Sequence, residues 1–164
     1  MKIAIITTGG TIDKVYFDAK SHYQVGDSEV SRILAESHVD VERDVVNLLC
    51  KDSLDITDDD RELIRRVVEH RPERHVLITH GTDTMVETGR VLKTVRGKVI
   101  VMTGSLAPAR FRASDAAFNL GMAIAALQTL PEGVWIAMNG RIFAADRVRK
   151  NREKNCFEET STAT

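Results

Sequence analysis

Hydroxyl-bearing residues stand at the ends of apolar runs at several points in this chain. Thr11 follows Ile3-Ala4-Ile5-Ile6, Ser53 follows Val45-Val46-Asn47-Leu48-Leu49, Thr82 with Asp83 follows the run from His75 to Thr79, and Ser105 follows the run from Val99 to Thr103. Such residues suit acyl transfer on a small polar substrate, because a hydroxyl becomes a nucleophile once a base takes its proton. Gly9-Gly10 precede Thr11 and let the backbone turn sharply and approach a ligand. Ligands of open α/β sheets bind outside the carboxyl ends of the strands, so the Thr11 hydroxyl is a candidate nucleophile. The plainer alternative is a threonine that caps a turn. Ligand binding without catalysis also fits these residue types, since none of them supplies a base.

The elements that must position these residues alternate in type. Strands are expected at 3–6, 45–49, 75–79, 99–103 and 134–138, each an apolar run of the kind buried on both faces. Helices are expected from Asp27 or Ser28 to about Glu36, after Thr57, from about Met85 to Val95, and from Ser114 to about Leu130. Asp58, Asp59 and Asp60 suit the first turn of the second helix, where the macrodipole favours negative charge, better than a metal site. Asn139-Gly140 is a strong hairpin signal leading into Arg141-Ile142-Phe143. The expected fold is α/β: a doubly wound, mainly parallel sheet, Rossmann- or flavodoxin-like, three-layer αβα, with a terminal β-hairpin. The polar stretch from Asp13 to Asp27 reads as a short hairpin or a mobile loop, at the place where lids over active sites sit. Residues 1–155 form one domain in this reading, and 156–164 a polar tail.

Composition excludes several classes. The chain has 164 residues, 43% of them hydrophobic and 29% charged, with a net charge of −1, as in an ordinary globular domain. The balance of charge argues against nucleic acid or a membrane surface as partner. Lys2 and four apolar residues are too short for a signal-peptide core, and no apolar run approaches a transmembrane helix. Cys50 and Cys156 make no metal or redox spacing, so the cytoplasm is the default compartment.

The familiar α/β signatures are missing: no G-x-G fingerprint, no P-loop, no G-x-S-x-G elbow and no H-E-x-x-H. Thr8-Gly9-Gly10-Thr11-Ile12 together with His80-Gly81-Thr82-Asp83-Thr84-Met85 instead resembles the paired signatures of the bacterial-type L-asparaginase family. The resemblance extends through Lys20-Ser21-His22-Tyr23-Gln24-Val25-Gly26, Met102-Thr103-Gly104-Ser105, Ser114-Asp115 with Asn119-Leu120, and Asp146-Arg147-Val148-Arg149-Lys150.

The resemblance implies hydrolysis of L-asparagine to L-aspartate and ammonia through an acyl-threonine, with weak glutaminase activity and neither metal nor organic cofactor. Thr11 matches the family's nucleophile and Tyr23 the tyrosine that orients it. Thr82, Asp83 and Lys150 match a second triad, in which Asp83 holds the lysine and the lysine holds the Thr82 hydroxyl. Gly10 and Thr82 N–H groups would line an oxyanion hole. Ser53 matches the serine on the substrate α-carboxylate, Asp83 also meets the α-amino group, and Gly81 lies among the substrate-binding residues. By residue type alone, Lys150 is equally a solvated residue of a basic run, Tyr23 a loop aromatic, and Asp83 a helix cap. His80 reads as a strand-end hydrogen bonder rather than a catalyst.

The chain also departs from the family. Full-length members carry a smaller C-terminal domain, and this sequence stops where it would begin. Leu54 replaces a polar neighbour of Ser53. Both departures predict a more open site with a high Michaelis constant and low activity on glutamine. The family's habit implies a homo-oligomer, a dimer or tetramer. Other readings are a non-catalytic module that binds asparagine or aspartate, and an amidase on another amide such as glutamine.

Overall fold

The computed structural model describes residues 1–16 and 23–160, with the side chains of Tyr16 and Tyr23 outside that description. Six strands form one sheet in the order β4-β1-β5-β6-β7-β8. These are β1 (Lys2–Gly9), β4 (Glu42–Lys51), β5 (His75–Thr79), β6 (Val99–Thr103), β7 (Gly133–Met138) and β8 (Arg141–Ala144). The first five run parallel, and β8 returns antiparallel to β7. Counting only the parallel strands in chain order, the arrangement is 2-1-3-4-5, the flavodoxin-like form of the doubly wound fold. Its switch point lies beside β1, so a crevice is expected at the carboxyl ends of β1 and β5.

The period-2 side-chain alternation of the strands sorts residues into two cores. Ala4, Ile6, Val76, Ile78, Ile100, Met102 and Ile136 face helices α2 (Asp58–His70) and α3 (Met85–Leu92). Ile3, Ile5, Leu77, Val99, Val101 and Ala137 face α1 (Val30–Glu36) and α4 (Ala116–Thr129). Small residues on α4, among them Ala116, Ala123 and Ala126, are fully buried and bring that helix close to the sheet. Among the described residues no helix is long and apolar enough to cross a membrane.

Local chemistry explains the element ends. Thr57 and Asp60 make a reciprocal capping box at the start of α2, so the acidic run serves the helix terminus. Asn139 and Gly140 both have positive φ, +53° and +72°, as the tight β7–β8 turn requires. Residues 14–16 (β2) and 23–25 (β3) pair antiparallel, in line with the hairpin alternative for this stretch; residues 17–22 lie outside the described residues.

The carboxyl-terminal stretch differs from the expected tail. Cys156–Glu159 forms β10, paired antiparallel with β9 (Val148–Asn151). Phe157 causes it: its side chain is buried against the core that holds Val148, and its N–H donates to Asn139 Oδ1 at 2.8 Å. Residues 161–164 lie outside the described residues.

Candidate active site

Close glycine contacts join the strand ends where the crevice is expected. Gly9 and Gly10 leave β1 with φ of +93° and +90°, a conformation that favours glycine. A Cβ on Gly10 would lie 2.4 Å from the Gly81 Cα, and one on Gly81 would lie 2.6 Å from the Ser53 hydroxyl. Gly10, Gly81 and Ser53 therefore form one contiguous row across the ends of β1, β5 and β4. The β1–β5 register, which pairs Thr7 with Thr79, runs into this contact. The Thr8 hydroxyl, which donates to the Thr79 carbonyl at 2.9 Å, ties the two strand ends together.

Thr11 follows that row as the first residue of a 3-10 turn through Asp13, and it is partly exposed. Ser53 is buried and begins a second 3-10 turn, whose N-terminus is capped by Asp52 accepting from the Leu54 N–H at 3.1 Å. Lys14 of β2 pairs with that Asp52 at 2.7 Å and links the hairpin to the Ser53 turn. The Ser53 carbonyl accepts from the Thr84 hydroxyl at 2.7 Å, so Thr84 at the start of α3 serves the neighbouring loop instead of its own helix.

Lys150 reaches this edge from β9. Its ammonium donates to Thr82 Oγ1 at 2.7 Å and to Asp83 Oδ1 at 2.8 Å, and its side chain is only 11% exposed. The three residues that sequence reading joined into a triad are thus brought together. Arg152 was not foreseen: its Nε stands 3.8 Å from Asp83 Oδ1. Residue type gives no signal for that contact, which depends on how the β9–β10 hairpin packs.

His80 is wholly buried behind the site. Its Nδ1 meets the Gly81 carbonyl at 2.8 Å, and a carbonyl can only accept, so Nδ1 carries the proton. Nε2 then accepts from the Thr88 hydroxyl at 2.9 Å. Burial lowers the ring to about 4, keeping it a neutral strut at neutral pH. Asp13 is also buried. Burial raises its carboxyl to about 6 despite a hydrogen bond from the Glu29 N–H.

Two expectations change. The Gly10 N–H donates to the Lys51 carbonyl at 2.9 Å, so it is engaged in the backbone rather than open to an oxyanion. The close approach of β1 to Lys51 causes this, since a Cβ on Gly9 would meet Lys51 backbone atoms at 2.6 Å. Ser105 likewise spends its hydroxyl on the Ala107 carbonyl, in a loop whose Leu106 and Ala107 N–H groups are held by Asp115. The backbone of Tyr23 lies in β3, and its side chain lies outside the described residues.

Comparison with known proteins gives a consistent result. Residues 2–162 match the family described as "Asparaginase, N-terminal". The chain is 33% identical over 159 residues to an L-asparaginase of Thermococcus kodakarensis, covering 92% of this chain and 48% of that protein. It is 30% identical over 162 residues to a glutaminase-asparaginase of Acinetobacter glutaminasificans, covering 90% and 49%. The solved structure of the thermostable L-asparaginase from Thermococcus kodakarensis superposes with a TM-score of 0.84 at 27% identity, over 97% of this chain and 51% of that one. The chain spans about half the length of these relatives.

Proposed function

The chain belongs to the asparaginase family, and on that premise we propose that it is an amidohydrolase converting L-asparagine and water to L-aspartate and ammonia. The observation that carries the reading is the Lys150 ammonium bound at once to the Thr82 hydroxyl and the Asp83 carboxylate. A lysine held between a hydroxyl and a carboxylate supplies, in its neutral amine form, the base that the residue types alone lacked.

In this mechanism the Thr11 oxygen attacks the side-chain amide carbon, and its proton passes through Thr82 to Lys150, which takes it as the neutral amine. The tetrahedral intermediate collapses, the C–N bond breaks, and ammonia leaves with that proton. Water then attacks the acyl-threonine, releases aspartate and restores the Thr11 hydroxyl. The Thr82 N–H serves the oxyanion; one such donor is typically worth about 10²–10³ in rate. Ser53 takes the substrate carboxylate and Asp83 faces the amino group. Tyr23 orients Thr11 from the hairpin, and Gly10 and Gly81 let the strand ends that carry Thr11, Thr82 and Ser53 pack against one another. The catalytic domain in this proposal runs through β10 to Glu159 and works in the cytoplasm as a homo-oligomer.

Ammonia release from L-asparagine and, separately, from L-glutamine tests the reading. It predicts turnover of asparagine at a high Michaelis constant and slower turnover of glutamine. Release from neither amide would contradict it, and faster glutamine turnover would replace the substrate with the longer amide.

A further inference from the structure

The turn that carries Thr11 is gripped at both ends by the two residues that precede Ser53. Before the turn, the Gly10 N–H donates to the Lys51 carbonyl at 2.9 Å. After it, Lys14 closes the turn through its N–H on the Thr11 carbonyl and sends its ammonium to Asp52 Oδ2 at 2.7 Å. The other oxygen of that carboxylate, Oδ1, accepts the Leu54 N–H at 3.1 Å and so caps the turn that Ser53 begins. Both oxygens of Asp52 are thus engaged, one by each turn. The neighbouring cation does not compete for them, because Lys51 gives its ammonium to both oxygens of Asp60, at 3.0 and 2.8 Å. Burial pushes the Asp52 carboxyl up, but Lys14 and the Leu54 N–H outweigh it and hold the group below its ordinary value. The Lys14 and Asp52 side chains are 27% and 30% exposed, so most of each is shielded from solvent.

We propose that Lys14 is a positioning residue of the amidohydrolase site: through Asp52 it sets the Ser53 turn in register with the Thr11 turn, so that an amide held by its α-carboxylate presents the amide carbon to the Thr11 hydroxyl. The inference rests on the reading above, in which Ser53 takes the carboxylate and Thr11 attacks. Gly10 fixes one end of the Thr11 turn through the backbone. The other end is set against Ser53 by an ion pair between side chains, which substitution removes without touching either functional hydroxyl. Misplacing a bound substrate lowers the rate although every reacting group is present. A partly exposed pair of this kind is worth about fivefold. Its effect is confined to substrates that use Ser53. An amide without the carboxylate does not sense where the Ser53 turn stands.

The test compares the full chain with Lys14→Met, with Asp52→Asn, whose side-chain carbonyl still caps the Ser53 turn, with the double variant, and with Lys14→Arg. One readout is kcat/KM for L-asparagine and for 3-aminopropanamide, which keeps the amine and the amide but lacks the carboxylate. Calorimetric Kd values for the two products, L-aspartate and β-alanine, give the same comparison without turnover, and unfolding midpoints control for the fold. Each single variant is expected to lose about fivefold on asparagine and on aspartate. The double variant loses no more than either single one, because both remove the same contact. Lys14→Arg recovers the loss, and the values for 3-aminopropanamide and β-alanine stay at those of the parent. Unchanged values for asparagine and aspartate, losses that add in the double variant, or equal losses on both members of each pair overturn the inference, while ammonia release by the parent leaves the amidohydrolase reading standing. If the parent hydrolyses no amide, that reading fails and the product affinities alone decide the role of Lys14; a parent that binds no L-aspartate overturns it as well.

Discussion

The Lys150 ammonium donates to the Thr82 hydroxyl at 2.7 Å across 68 residues of sequence. Neither residue lies on the same element as the other. Thr82 sits in the turn after β5, and Lys150 is delivered by a hairpin anchored through Val148 and Phe157. The chemistry of the site thus depends on the packing of a hairpin held to the core by Val148 of β9 and Phe157 of β10.

Replacing Lys150 removes the partner of both Thr82 and Asp83. Lys150→Met is expected to lower kcat for asparagine by about 10²–10⁴, the usual worth of a positioned acid–base group. Lys150→Arg keeps the charge but not the ability to give up a proton, so it is expected not to recover the rate. Steady-state ammonia release with circular dichroism as the folding control checks this, and an active Lys150→Arg protein would contradict the base role.

Gly81 in the strand-end row and Gly121 in α4 predict opposite outcomes from the same substitution. Gly81→Ala drives a methyl to 2.6 Å from both Ser53 Cβ and Oγ, so it is expected to destabilise the fold by about 1–3 kcal/mol and to abolish activity. Gly121 lies in α4, and its added methyl meets nothing within 4 Å. Gly121→Ala is expected to stabilise by about 0.5–1 kcal/mol. Urea unfolding of both variants measures the contrast.

Two buried titratable groups make stability depend on pH with opposite signs. The Asp13 carboxyl titrates near 6 in the fold and near 3.8 when free in water, so between these values the folded state holds a proton that the unfolded state has released. Its contribution is complete below pH 3.8 and is lost as pH rises through 6, about 3 kcal/mol in all. Asp13→Asn keeps the acceptor for the Glu29 N–H and is expected to gain on the parent between pH 4 and pH 7.5. His80 behaves inversely. Its ring titrates near 4 when folded and near 6.5 when free in water, so stability is complete above 6.5 and falls as pH drops toward 4. His80→Gln is expected to gain on the parent in that direction. Urea unfolding at pH 4, 5.5 and 7.5 separates the two, and differences from the parent that stay constant with pH would refute both assignments.

Much of this architecture is legible in residue order because burial on both faces writes strands as unbroken apolar runs. Ile3–Ile6, Val76–Thr79, Val99–Thr103 and Val134–Met138 are such runs, and each is a strand. The β4 strand is longer than 45–49 because it is the sheet edge, half-buried, with charged residues at both ends that no apolar pattern includes. The β10 strand escapes notice because one phenylalanine between polar neighbours carries no period. In the site, Thr82, Asp83 and Lys150 are legible through their motifs. The engagement of the Gly10 N–H by Lys51, the Thr84 hydroxyl on the Ser53 carbonyl and the Arg152 contact are tertiary and leave no local trace.

The decisive comparison is ammonia release from L-asparagine by the parent chain and by Thr11→Ala, both at saturating substrate. Thr11 is partly exposed at the end of β1, so the folded state should tolerate the change, and unfolding midpoints check that it does. The nucleophile assignment predicts turnover by the parent and none by Thr11→Ala with an unchanged midpoint. Undiminished turnover by Thr11→Ala would contradict it and make Thr11 a turn residue only.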